Sequence, residues 1–340
     1  MSITHNWTDI LDELICEAIN AGRVEGDLSG KPDEKVESGL AHIFFYGDTV
    51  YKLYKTHADK DHFIKGVLAP TTRRKTFLEH DFSLNQHFSG EVYKKMHSVS
   101  YQDGFVTVGS YDGSSIYTLI EMNRLDFDTN LHERLLRGEI NPDELFVLGY
   151  EIAHAIDTCP IKAPDDVSWY DLASERVGML RQFLDWLDPK YGELVRESGV
   201  LEVLREHLEE HRDEYILLRG EELTVNIDNH DENVFFVEGK SQFIDLLPPM
   251  GSWWYGVPYA NLANVVANVE ALHSNEAAEQ VRLGYIDYYQ GVEPPAHTYG
   301  FTKAFAYLIS IAHFGSVPGK EGVAEKYLAR IGDIPAWLNK

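Results

Sequence analysis

Asn226-Ile227-Asp228-Asn229-His230-Asp231-Glu232-Asn233, then Val234-Phe235-Phe236-Val237, Glu238-Gly239-Lys240, Ser241-Gln242-Phe243-Ile244 and Asp245, is the stretch on which the reading of this chain turns. Two apolar runs around a short polar segment with a central glycine predict a β-hairpin. Asn233 and Asp245 are symmetric about Gly239, so a regular ladder sets them face to face, about 5 Å apart at Cα. An amide oxygen and a carboxylate at that separation form half of a hard-cation site, the oxygen chemistry that Mg²⁺ takes. Asp228 stands five residues before Asn233, and a tight loop brings its carboxylate towards the same cavity. The competing reading is a plain polar turn, since Asp and Asn are the commonest turn formers.

Upstream of that stretch the pattern is β-rich. Leu40 to Tyr46 and Thr49 to Tyr54 read as two strands joined at Gly47-Asp48. A helix over Thr71 to Phe88 and strands near Val92 to Val99, Phe105 to Gly109 and Ile116 to Glu121 follow. Trp7 to Ile19 has helical spacing, and residues 23 to 35 read as a connector. After Met122 the pattern is mostly helical, including one long helix over Gly192 to Arg212. The expected division is 1–35, an N-terminal helix and connector; 36–122, a β-rich lobe with one helix; and 123–340, a helical lobe holding the hairpin. The fold class is α+β, with the two-lobed layout of protein kinases.

Within the β-rich part, alternation puts Val50, Lys52 and Tyr54 on one face of their strand. A lysine inside an apolar strand is costly unless it pairs. Two acids on the following helix are candidates. Asp81 shares a stripe with Phe77, Leu84 and Phe88, and Glu79 has the longer reach. The alternatives are an edge-strand lysine that blocks aggregation and a solvated acidic helix face.

Composition narrows the classes. The 340 residues are 44% hydrophobic and 25% charged, and the only cysteines are Cys16 and Cys159. That excludes a disulfide framework and fits a reducing compartment. No basic leader and no run of about 20 apolar residues is present, so the expectation is a soluble, cytoplasmic protein without membrane attachment. A formal charge of −25 argues against nucleic-acid binding and favours encounter with cationic small molecules. There is no H-E-x-x-H and no G-x-S-x-G, so zinc hydrolysis and a serine nucleophile find no support.

A D-x-x-x-x-N spacing followed by a further Asp is the arrangement kinases use for phosphoryl transfer. One Asp orients the hydroxyl and takes its proton, while the Asn and second Asp hold the metal. With these residues in view, the sequence resembles the bacterial aminoglycoside phosphotransferase-like family, over about Val36 to Tyr289. The segments that carry the likeness are VESGLAHIFFYGDTVYKLYK, RRKTFLEHDFSLNQHF, IEMNRLDFDTNLHERLLRGEI, LGYEIAHAID and NIDNHDENVFFVEGKSQFIDLLPP. The family's catalytic loop reads H-G-D-L-H-x-x-N, matched here at Asp228, His230 and Asn233.

The resemblance implies Asp228 as catalytic base, Asn233 and Asp245 as Mg²⁺ ligands, and Lys52 on the phosphates of ATP (or GTP). It implies a nucleotide-base hinge at Glu121, Met122 and Asn123, and a small hydroxyl-bearing acceptor. Asn226, Ile227 and Asn229 stand where the family has His, Gly and Leu. His230 is expected to brace the loop, and Glu270 and Asp287 are weak acceptor-site candidates. A protein kinase and a degenerate nucleotide-binding or scaffold protein remain the alternative readings.

Overall fold

The computed structural model describes residues 11–56, 67–186, 189–227, 229–248 and 254–338. The chain forms two compact units, Met1–Asp126 and Phe127–Lys340. The architecture is α+β, as the sequence pattern requires.

The first unit contains α1 (Leu11–Asn20), β1 (Val24–Gly26), β2 (Glu34–Glu37), β3 (Ala41–Tyr46), β4 (Thr49–Tyr54), α2 (Thr71–Phe88), β5 (Tyr93–Gln102), β6 (Phe105–Ser110) and β7 (Tyr117–Asn123). Its seven strands lie in the order β1-β6-β5-β7-β4-β3-β2. Ile15, Ala18 and Ile19 of α1 bury one sheet face together with Phe44, Tyr51, Leu53, Val106 and Leu119. The stretch 23–35, read as a connector, holds all of β1, which pairs in parallel with β6, and the start of β2. The pattern hid them because main-chain bonds rather than side-chain burial carry these short strands. Gly26 shows this, since a Cβ there would lie 2.1 Å from Val108 O. The edge strand β2 is exposed throughout and rich in charge, which protects an open edge.

The second unit contains α3 (Leu131–Arg137), α4 (Pro142–Thr158), α5 (Trp169–Trp186), α6 (Pro189–Glu197), α7 (Val200–Glu210), α8 (Arg212–Leu217), β8 (Thr224–Val225), β9 (Val234–Val237), β10 (Lys240–Phe243), β11 (Tyr255–Gly256), α9 (Ala260–Leu272), α10 (Asn275–Tyr288), α11 (Ala296–Ser316), α12 (Glu321–Leu328) and α13 (Ile334–Leu338). The single helix expected over Gly192 to Arg212 is broken. Gly199, at φ 68°, separates α6 from α7, and His211 separates α7 from α8. The apolar spacing runs across the break, so periodicity alone did not reveal it. In α9 every residue except Asn264 and Ala271 is buried, so this helix is the axis of the unit. Helices α4 and α10 meet backbone to backbone at Gly149 and Gly284, where Cβ atoms would come within 1.9 and 1.8 Å of Val281 O and Phe146 O. No described helix is long and apolar enough to cross a membrane.

Candidate functional site

In the first unit, β4 lies between β3 and β7 and is not an edge. Tyr51 and Leu53 point into the α1 core, which leaves Lys52 and Tyr54 on the opposite face. There Tyr54 meets Phe77 of α2 edge-on at 5.2 Å, and Lys52 Nζ sits 4.4 Å from the Tyr54 ring centroid. Lys52 is only 4% exposed, and Asp81, one turn beyond Phe77, is fully buried. Asn85 Nδ2 donates to the Asp81 carboxylate at 3.2 Å. Glu79 is engaged elsewhere, accepting a 2.7 Å hydrogen bond from Tyr111 OH. Burial and that carboxylate push the Tyr111 hydroxyl up.

Glu121, Met122 and Asn123, expected as the nucleotide-base hinge, are the last residues of β7, where it ladders with β4 and β5. Asn123 N donates to Val92 O at 2.8 Å. The Glu121 carboxylate takes hydrogen bonds from His97 Nε2 (2.6 Å) and Tyr51 OH (3.4 Å), and with burial it pushes the Tyr51 hydroxyl up to about 12. The unit ends only after Asp126.

In the second unit, residues 226–233 join β8 to β9. Asp228 lies outside the described residues. The described residues on either side of it are held by asparagines at spacings i, i+3 and i+7 on α9, two of them through main-chain atoms and Asn264 through a side chain. Asn261 Oδ1 accepts from Ile227 N (2.8 Å), and its Nδ2 donates to Val225 O (3.1 Å). Asn264 Nδ2 donates to Asn229 Oδ1 (3.3 Å), and Asn268 Oδ1 accepts from Asp231 N (3.3 Å). From the other side, Asn130 caps α3 and donates to Glu232 O (2.8 Å) and Val234 O (3.2 Å). Buried His132 contacts buried Asp231 through Nδ1 at 2.5 Å, while its Nε2 faces Lys320 Nζ at 3.1 Å. An ammonium only donates, so His132 Nε2 is the acceptor and Nδ1–H donates to Asp231.

These braces were not foreseen. The available signal was three asparagines on one stripe of an apolar helix. His230, expected to brace the loop, instead lines a cavity, with its ring 5.7 Å from that of His313. Glu232 accepts from His313 Nε2 at 3.2 Å. Burial raises the Glu232 carboxyl, but the His313 hydrogen bond and the charges of His230 and His313 outweigh it and hold it at about 2.

The hairpin forms, with its register one step from the symmetric expectation. Lys240 pairs Val237 and Phe243 pairs Val234, so the turn is the two-residue Glu238-Gly239, both at positive φ (51° and 78°). Such two-residue turns match the twist of the strands, which is why the third residue of the expected turn joins the ladder. Asn233 therefore faces Ile244, whose N–H donates to Asn233 O at 2.9 Å. Asp245 follows one position later at φ 56°, a left-handed conformation uncommon for a residue with a side chain. The structure thus brings Asn233 and Asp245 to the same open end of the hairpin, though not directly opposed. Their amide and carboxylate oxygens are the donor set that a hard divalent cation takes.

The cavity beside the loop has a volume of about 300 Å³ and is lined by Asn226, His230, Arg176 and apolar residues from α5, α11 and Trp254. The aromatic run Trp253-Trp254-Tyr255 thus contributes Trp254, and Trp253 lies outside the described residues. Glu270 is bound instead to Lys303 and Arg330, and Asp287 is exposed on α10. Neither lines this cavity. His211, Glu214 and His297 form a separate group with metal-ligand chemistry. Their imidazoles stack 4.5 Å apart at 11°, and two near-parallel rings offer no shared in-plane point for one ion.

No protein-family model matches the chain, and no curated protein matches it either. Among solved structures it is similar to small-molecule phosphotransferases. One is a thermostable mutant of aminoglycoside phosphotransferase APH(4)-Ia in ternary complex with AMP-PNP and hygromycin B (13% identity, 96% of this chain and 98% of that chain, TM-score 0.49). Another is a glucosamine kinase (11% identity, 95% and 84%, TM-score 0.48). A third is a candidate fructosamine-3-kinase from Thermobifida fusca (12% identity, 96% and 99%, TM-score 0.48). At these identities the chemistry has to be argued from the residues themselves.

Proposed function

We propose that the protein is a Mg²⁺-dependent phosphotransferase that moves the γ-phosphate of ATP (or GTP) to a hydroxyl of a small molecule. The observation that carries this reading is the open end of the β9–β10 hairpin. It pairs a metal-type oxygen set, Asn233 and Asp245, with a preceding loop pinned from two sides. Strained backbone at Asp245 fits a residue held for chemistry rather than for folding.

In this reading Asn233 and Asp245 hold Mg²⁺, which supplies charge neutralisation for the transferring group when bound. Lys52 contacts the nucleotide phosphates and is oriented by Asp81, because Glu79 is already committed to Tyr111. Asp228 accepts the proton of the attacking hydroxyl. The pinned loop matters because phosphoryl transfer depends on positioning more than on covalent help.

Asp228→Ala tests the assignment. Turnover of ATP with acceptor should vanish while the Mg-ATP thermal shift persists. Undiminished turnover refutes the role of Asp228. Absence of any Mg-dependent shift in the unaltered chain favours the scaffold reading, which Asn226 and Ile227 would suit.

A further inference from the structure

Lys320 stands at the N-cap of α12, 88 positions after Glu232, yet it reaches both acids of the 226–233 loop. Its Nζ donates to Glu232 Oε1 at 3.3 Å and to His132 Nε2 at 3.1 Å, and His132 donates in turn to Asp231. Asp231 is fully buried and Glu232 is half-buried. Adjacent carboxylates in such a place repel each other and lose hydration, so a cation that reaches both stabilises the loop. Among the described residues, no other Lys or Arg pairs with either acid.

The arrangement is held rigidly. The Lys320 carbonyl accepts from Val323 N (2.9 Å) and Ala324 N (3.2 Å) in the first turn of α12, which fixes the root of the side chain. The His132 ring stacks on Phe314 at 5.5 Å and 15°, and Lys320 Nζ lies 6.0 Å from the same ring centroid. A second tie leaves the same helix at Tyr327. Its OH accepts from Asn268 Nδ2 at 2.6 Å, and Asn268 Oδ1 holds Asp231 N.

Asp231 begins the 3₁₀ turn that ends in Asn233. Asn233 N donates to His230 O at 2.9 Å, and Val234 N donates to Asp231 O. Within one such turn, Asp231 cannot tilt without swinging the Asn233 amide. The Asp231 carboxylate is held by one oxygen only, since Oδ2 meets His132 while Oδ1 is buried without a hydrogen-bond partner. Loosening His132 would strand that carboxylate, and the turn would open towards water.

We propose that Lys320 is a positioning residue for the metal site: through His132 and Glu232 it fixes the 231–233 turn and thereby the Asn233 side chain. The assignment rests on the phosphotransferase reading above, in which Asn233 and Asp245 take Mg²⁺. Lys320 and His132 act through the turn and touch no reacting group.

Lys320→Met tests it, removing charge and donor from a side chain that is 31% exposed, so the variant should fold. Lys326→Met makes the same charge change at an exposed position of α12 and is the control. The Mg²⁺ concentration that gives half of the ATP-dependent thermal shift should rise about 10-fold or more in Lys320→Met, the scale on which groups behind a metal ligand act. It should not move in Lys326→Met. A second readout needs neither nucleotide nor metal. The imidazole N–H proton of His132, donating to a buried carboxylate, lies far downfield in NMR spectra of the full chain and is assigned by its loss in His132→Gln. In Lys320→Met that signal should move or vanish; should His132→Gln not fold, the Mg²⁺ requirement of Lys320→Met decides alone. An unaltered Mg²⁺ requirement overturns the proposal, and with a lowered thermal midpoint it makes Lys320 structural only. An unaltered His132 signal, or equal effects in Lys326→Met, also overturns it. A signal that moves in Lys320→Met, while the unaltered chain shows no Mg-dependent shift with ATP, leaves the hold on the turn standing and removes the phosphotransferase reading instead.

Discussion

Replacing Asn261 by Leu should destabilise the second unit and disable the loop it holds. The side chains are close in volume, so the effect is on polar groups rather than on space. Ile227 N loses its acceptor and Val225 O loses its donor, and both residues are fully buried. Each stranded group costs about 1–3 kcal/mol, so the pair costs roughly 2–6 kcal/mol before relaxation. Against a total stability of about 5–15 kcal/mol, that shifts the urea midpoint measurably without abolishing folding. Asn264→Leu is the internal control. It gives up one 3.3 Å side-chain contact at a half-buried position and should cost under about 1 kcal/mol. Turnover should fall about 100-fold in Asn261→Leu, the scale of a 1 Å misplacement in an active site. An unchanged urea midpoint, or equal losses in both variants, would refute the claim that Asn261 anchors the loop.

Three further outcomes are expected. Lys52→Met should weaken Mg-ATP binding about 10-fold or more, the worth of a charge-assisted hydrogen bond, as read by calorimetry; unaltered affinity removes Lys52 from the nucleotide site. His207 is held down at about 4 by burial first and then by the charges of His211 and His297. The unfolded chain, titrating near 6.5, therefore takes up this proton first as pH falls. Stability from this group is complete above about 6.5 and declines towards pH 4, by no more than about 3 kcal/mol. His207→Phe should flatten that slope in denaturation series, and an identical slope in the variant contradicts the assignment. Gly284→Ala sets a Cβ 1.8 Å from Phe146 O and should cost about 3 kcal/mol or more, whereas Gly178→Ala, with no neighbour within 4 Å, should gain about 1 kcal/mol; thermal midpoints moving together would contradict the close helix approach.

The sequence by itself determined the alternation that puts Lys52 and Tyr54 on one strand face, the helix bearing Asp81, and the hairpin between Asn233 and Asp245. Those features are local, set by side-chain periodicity and turn chemistry over a few residues. It did not determine the hairpin register, because the choice between a two-residue and a three-residue turn depends on backbone twist rather than on composition. Nor did it show that Tyr111 reaches Glu79 from 32 positions away. Tertiary structure alone decided what braces the loop. Asn130, His132 and the α9 asparagines come from distant segments, and a polar residue in an apolar helix shows its partner only when the chain has closed around it.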